Sequence, residues 1–108
     1  MRIYHLALET EWEAARQAGE YRVSTLDRTL EEVGFIHCSH EDQWKQVRRD
    51  VYGGRRPMVL LVIDTDRLTA PVRDELVPGS DRPFPHVYGP LVLDAIVEVR
   101  RLGHPGGQ

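Results

Sequence analysis

Apolar positions along the chain fall into short runs separated by charged segments that carry helix caps. Residues 2 to 8, Arg2-Ile3-Tyr4-His5-Leu6-Ala7-Leu8, have the content of a strand. Met58-Val59-Leu60-Leu61-Val62-Ile63 is continuously apolar, which predicts a central strand covered on both faces and ended by Asp64-Thr65-Asp66. Between these runs the period becomes helical. Thr10, with Glu13 three residues on, predicts a capping box for a helix running to about Ala18, where Gly19 can take the left-handed conformation that stops it. Residues 20 to 25 form a connection. Ser24 or Thr25 is then placed to cap a second helix, with Leu26, Leu30 and Val33 on one stripe and Gly34 at its end.

Phe35 to Cys38 reads as a short strand. Ser39 with Asp42 repeats the capping pattern and predicts a third helix carrying Trp44, Val47 and Val51, ending near Tyr52-Gly53-Gly54. The second half is richer in strands: a polar edge strand at 72–76, a strand at 84–89, and one at 92–100 in which Ile96, Val97 and Val99 alternate with Glu98 and Arg100. Pro78-Gly79-Ser80-Asp81-Arg82-Pro83 has the composition of a mobile loop, and residues 103–108 that of a flexible tail. Helices gathered in the N-terminal half, followed by strands, predict an α+β fold with a mixed, mainly antiparallel sheet and a single domain over residues 1–102.

Composition narrows the function classes. A chain of 108 residues with 41% hydrophobic and 29% charged content has the balance of an ordinary globule. Its apolar runs are too short to cross a membrane, and Met1 to His5 lacks the apolar core of a signal peptide. With one cysteine there is no internal disulfide, so a cytoplasmic location is the expectation. A net charge of -3 argues against a nucleic-acid partner. Arg48, Arg49, Arg55 and Arg56 surround Tyr52-Gly53-Gly54 and could suit a phosphate, but arginines opposing the dipole at a helix C-terminus explain them more simply.

Histidine is where chemistry concentrates. His5, His37 and His86 all lie in strand contexts beside aromatic or hydroxyl residues, as they would if three strand ends met at one cleft. His37 and His86 are the candidate catalytic acid/base residues. His5, Tyr21, Ser24, Thr25, Ser39 and Tyr88 are the candidate ligand contacts. His37-x-x-His40 beside Cys38 has poor spacing for a metal, so no metal ligands are assigned; a metal enzyme using His5, His37 and His86 is a lesser alternative. Cys38 fits a core position better than a nucleophile, since alternation turns it away from His37. A second H-x-[ST] tripeptide, a G-x-S-x-G elbow and a Gly-rich phosphate loop are all missing, which counts against two-histidine phosphoesterase, serine-hydrolase, Rossmann and P-loop chemistries.

The ordered set His5-Leu6, Trp12, Gly19-Glu20-Tyr21, Ser24-Thr25-Leu26, Gly34-Phe35-Ile36-His37-Cys38-Ser39, Leu61-Val62-Ile63-Asp64 and Phe84-Pro85-His86-Val87-Tyr88-Gly89-Pro90-Leu91 resembles the domain-of-unknown-function 952 family. That resemblance implies a fold like that of ADP-ribosyltransferases and a ligand of the NAD or ADP-ribose type. It would put His5 on a ribose, a tyrosine (Tyr21, Tyr52 or Tyr88) on nicotinamide and Ser39 at the end of a short strand. The chain departs from the pattern at the catalytic acid: no glutamate lies in Phe84 to Gly89, and Glu75 is a weak substitute. The RNA 2'-phosphotransferase branch of the fold offers a further parallel, through a strand end like His37-Cys38-Ser39. The expectation is therefore a protein that binds a nucleotide or other phosphorylated small molecule in a His/Tyr/Ser-lined cleft and acts as a transferase. The alternative is a non-catalytic binding module.

Overall fold

The computed structural model describes residues 1–25, 28–53 and 57–103. Strand β1 (Arg2–Leu8) runs straight into helix α1 (Glu9–Ala18), and Gly19 ends that helix at φ 91°. The helix starts one residue before the predicted cap. Glu11 rather than Glu13 turns back, its carboxylate accepting the Leu8 N–H at 2.9 Å, so Thr10 lies inside the first turn.

Strand β2 (Glu20–Tyr21) leads to helix α2 (Leu30–Val33). Its cap is Thr29, not Ser24 or Thr25: Thr29 Oγ1 accepts the Glu32 N–H while Glu32 accepts the Thr29 N–H. Leu26, predicted for this helix, lies outside the described residues.

Strand β3 (Ile36–His37) is followed by helix α3 (Trp44–Val47) and a π-helical stretch, Arg48–Tyr52, closed by Gly53 at φ 62°. The predicted Ser39 cap is absent because Ser39 is held in a bridge with Tyr4, their amides and carbonyls pairing both ways at 2.8 and 2.7 Å. Gln43 precedes α3 without a side-chain cap bond to it; its amide oxygen accepts the His40 N–H at 2.8 Å in the turn before the helix. Arg55 and Arg56 of the arginine cluster lie outside the described residues, as do positions 104–108 of the expected tail.

The rest of the chain gives β4 (Met58–Asp64), β5 (Val72–Glu75), β6 (Phe84–Val87), β7 (Leu91–Val92) and β8 (Ile96–Gly103). The expected strand at 84–89 ends at Val87, and the one at 92–100 is split by a 3-10 turn at Leu93–Ala95. Gly103, assigned to the tail, closes β8 instead.

The architecture is α+β, and every ladder between named strands is antiparallel. The strands divide among three small sheets, ordered β1-β4-β8, β2-β7 and β3-β6-β5. The Tyr4–Ser39 bridge joins the edge of the first to the segment leaving β3.

Strand β4 is covered on both faces, as its apolar run requires. Val59, Leu61 and Ile63 enter one core with Ile3, Ala7 and Ala15; Met58, Leu60 and Val62 enter a second with Leu6, Leu8 and Trp44. Burying each of its leucines contributes roughly 1.5–3 kcal/mol, which makes β4 the anchor against which the site-bearing strands are held. Among the described residues no helix is long and apolar enough to cross a membrane.

Candidate functional site

The β3–β6 ladder sets His37 directly opposite His86. Their rings are tilted by 50°, with His37 Nδ1 lying 3.2 Å from His86 Nε2, while His86 Nδ1 lies 2.8 Å from Glu75 Oε1. Donor and acceptor roles follow from the end of this chain. An ionised carboxylate only accepts, so His86 Nδ1 carries a proton; in the neutral tautomer its Nε2 then accepts from His37 Nδ1–H, and His37 Nε2 is left as a lone pair. Among the described residues nothing hydrogen-bonds that nitrogen.

The hydrogen bonds from the Tyr88 hydroxyl and from His86 hold the Glu75 carboxyl below its usual range, keeping the anchor ionised. Aromatic packing fixes the rings. Phe35 stacks on His86 at 4.0 Å and 12°, and Phe84 lies 4.9 Å from His37. Burial, aided by the neighbouring His86, lowers the His37 pKa from 6.5 to about 4, so its imidazole is neutral at pH 7.

Three predicted ligand contacts serve as supports for His37. Ser24 Oγ accepts the His37 N–H at 3.1 Å, and His5 Nδ1 donates to the His37 carbonyl at 2.7 Å. That bond fixes the His5 tautomer, leaving Nε2 to accept from the Tyr21 hydroxyl at 3.0 Å. His5 is 2% exposed and Tyr21 0%, so neither presents a ring face to an incoming molecule. Burial lowers the His5 pKa to about 4 and, with the Glu11 charge, pushes the Tyr21 phenol well up.

Thr25 and Ser39 line a crevice of about 10 Å³ shared with His5, His37 and Tyr52, room for about one water. Tyr88, 36% exposed, stands outside it and holds Glu75. The H-x-x-H pair is split: His40 Nε2 turns to Asp74 at 2.9 Å. Among the described residues no three His, Cys, Asp or Glu side chains converge as a metal site. Cys38 packs in the core, where burial pushes its thiol far above the ordinary value.

The open face of His37 looks into a larger cleft of about 600 Å³, within the range of small-molecule sites. One wall comes from α3 and the π-helical stretch, through Gln46, Val47, Asp50 and Val51; the other is the 77–82 loop, and Phe84 lies beside His37. Arg82 ties that loop to Asp42 at 2.9 and 3.2 Å, and Gln43 Nε2 reinforces it by donating to the Pro83 carbonyl at 3.0 Å. Sequence reasoning missed these wall residues. They belong to no motif; the one available signal was the Pro/Gly/Asp content of the loop.

A family model matches residues 6–99. The chain belongs to the family described as "Protein of unknown function (DUF952)". Among solved structures it is similar to the crystal structure of protein CC0527 from Caulobacter crescentus, with a TM-score of 0.80 and 27% identity over 94% of this chain and 85% of that one. The solution NMR structure of CC0527 gives a TM-score of 0.75 at 27% identity, covering 94% and 84%. No curated protein matches the chain. The residues matched by the DUF952 model take in His37, Glu75 and His86 and exclude His5.

Proposed function

We propose that this DUF952 protein binds a nucleotide or nucleoside-derived molecule, of the NAD or ADP-ribose type, in the cleft at His37 and transfers a group from it. One observation carries this reading: the Glu75–His86–His37 chain ends in an imidazole nitrogen, unpartnered among the described residues, at a cavity of about 600 Å³. In the proposed reaction the hydroxyl oxygen of an acceptor bonds to the ribose C1′ of an NAD-type donor as the bond from C1′ to nicotinamide breaks; nicotinamide leaves with that electron pair, His37 Nε2 accepts the hydroxyl proton, and the imidazolium formed is stabilised through His86 by the Glu75 carboxylate. Phe84 offers a ring face to a base, and the carboxylates of the walls can accept from ribose hydroxyls.

An ADP-ribosyltransferase-like fold remains part of the proposal, supported by the His5-bearing first strand and the short strand ending at His37-Cys38-Ser39. Glu75 acts differently from a ribose-orienting glutamate, because its oxygen is occupied by His86 and Tyr88. Titration of the labelled protein with NAD, ADP-ribose and adenosine tests the reading. Amide shifts at His37, Gln46, Asp81 and Phe84 are expected, and silence at all four removes it.

A non-catalytic binding module is the second reading, favoured by the His37 pKa near 4, below the range where proton transfer at pH 7 is most effective. His37→Ala separates the two. A binding module keeps its ligand with altered affinity, whereas an enzyme keeps the ligand and loses turnover.

A further inference from the structure

We infer that the group entering the His37 cleft is an organic cation of the quaternary ammonium or pyridinium type, and that any phosphate on the ligand stays outside. This rests on the reading of the cleft as a ligand site and names the chemistry it selects. Among the described residues that line the cavity, three carboxylates, Asp42, Asp50 and Asp81, stand against one guanidinium, Arg82. That guanidinium is paired with Asp42, its Nη2 donating to both carboxylate oxygens. Asp50 receives only the uncharged Gln46 amide, at 2.8 and 3.0 Å, and Asp81 has no ion pair among the described residues. Arg49, which donates to Gln46 Oε1, is not part of the lining. Among the described lining residues two negative charges are therefore in excess, and a phosphate entering the cavity would meet net repulsion from them.

The carboxylates are too dispersed for a small hard ion, since no three such side chains converge among the described residues. The walls between them are apolar: Val51, Val77 and Pro78, with the Phe84 ring beside His37. A diffuse negative field around an aromatic face and aliphatic walls matches a bulky cation with an apolar skin, held by cation–π attraction and long-range charge together.

Choline and 3,3-dimethylbutan-1-ol share a shape and differ in charge, so they isolate the effect. Amide shifts of the full chain are followed with each, and with inorganic phosphate. The expected result is perturbation of Gln46, Asp81 and Phe84 by choline, with affinity about tenfold above that of the neutral alcohol. Joint replacement Asp50→Asn and Asp81→Asn should lower choline affinity by about tenfold and leave the alcohol unchanged. Equal affinity for the two probes, a stronger cleft response to phosphate, or no cleft response to choline at tens of millimolar each overturns the inference. Nucleoside binding without a preference for cations would overturn this inference alone; a cleft silent to every probe would sink the site reading with it.

Discussion

Acidification from pH 7 to pH 5 should destabilise the fold by about 2 kcal/mol through His5 alone. The imidazole is neutral in the folded state because its ring is sealed between Tyr21 and the His37 carbonyl, and burial brings its pKa from 6.5 to about 4. A base whose folded pKa is depressed binds fewer protons folded than unfolded. Its contribution is therefore complete above pH 6.5 and is lost as the pH falls from 6.5 towards 4. At pH 5 the unfolded imidazole is almost fully protonated and the folded one almost none, which over 1.5 pH units gives roughly 2 kcal/mol. His37, lowered to about 4 by burial and by His86, contributes in the same direction.

The acidic groups with lowered pKa, Glu31, Glu32, Glu75 and Glu98, lose their contributions only below about 4.5, so pH 5 isolates the histidines. Urea unfolding at pH 7, 6 and 5 measures the effect, and the His5 ring carbon shift followed in parallel assigns it. Stability constant to within about 0.5 kcal/mol between pH 7 and 5, or a His5 ring titrating near its unfolded value of 6.5, would refute the account.

Other perturbations test neighbouring parts of the molecule. Tyr21→Phe removes the donor to His5 Nε2 and leaves a buried acceptor unpaired, which should cost about 1–3 kcal/mol in denaturant unfolding. Gly89→Ala places a methyl group 2.6 Å from the Ala70 Cβ, and the overpacking should cost about 1–3 kcal/mol, read as a lowered Tm. The Cys38 thiol, buried and held protonated, should resist a disulfide reagent at pH 8 in the native protein and react at once in denaturant.

The strands that form the central sheet were legible because continuous apolar runs and alternation are local signals: Met58 to Ile63 reads as a doubly covered strand without any neighbour being known. The helix starts were less legible. Thr10 to Glu13 and Ser39 to Asp42 both fit the capping pattern, yet Glu11 turns back at α1 and no side chain caps α3, because β1 leads directly into α1 and because Tyr4 pairs with Ser39.

In the site, the meeting of His37 with His86 followed from two strand-borne histidines in similar contexts. The part of Glu75 did not, because it depends on register. β5 aligns Glu75 with Phe84 and Arg73 with His86, so Glu75 reaches His86 only along the diagonal of the ladder. The inward place of Tyr21 and Ser24 was hidden for the same reason: nothing in residues 20 to 25 specifies whether they face solvent or the back of β3.

The two-residue pairing of β3 with β6 has a kinetic corollary. Its histidine partners are 49 positions apart, and the cavity beside them draws its walls from three separate stretches, 42–51, 77–82 and 84. Bringing such distant stretches together carries a loop-closure cost that local helices do not, so this ladder belongs to the slow, non-local events of assembly. A polypeptide emerging from the ribosome has its first imidazole in place well before its partner has been synthesised. Proximity of the two rings thus marks completed chains, and fragments ending before Phe84 would lack the pair altogether.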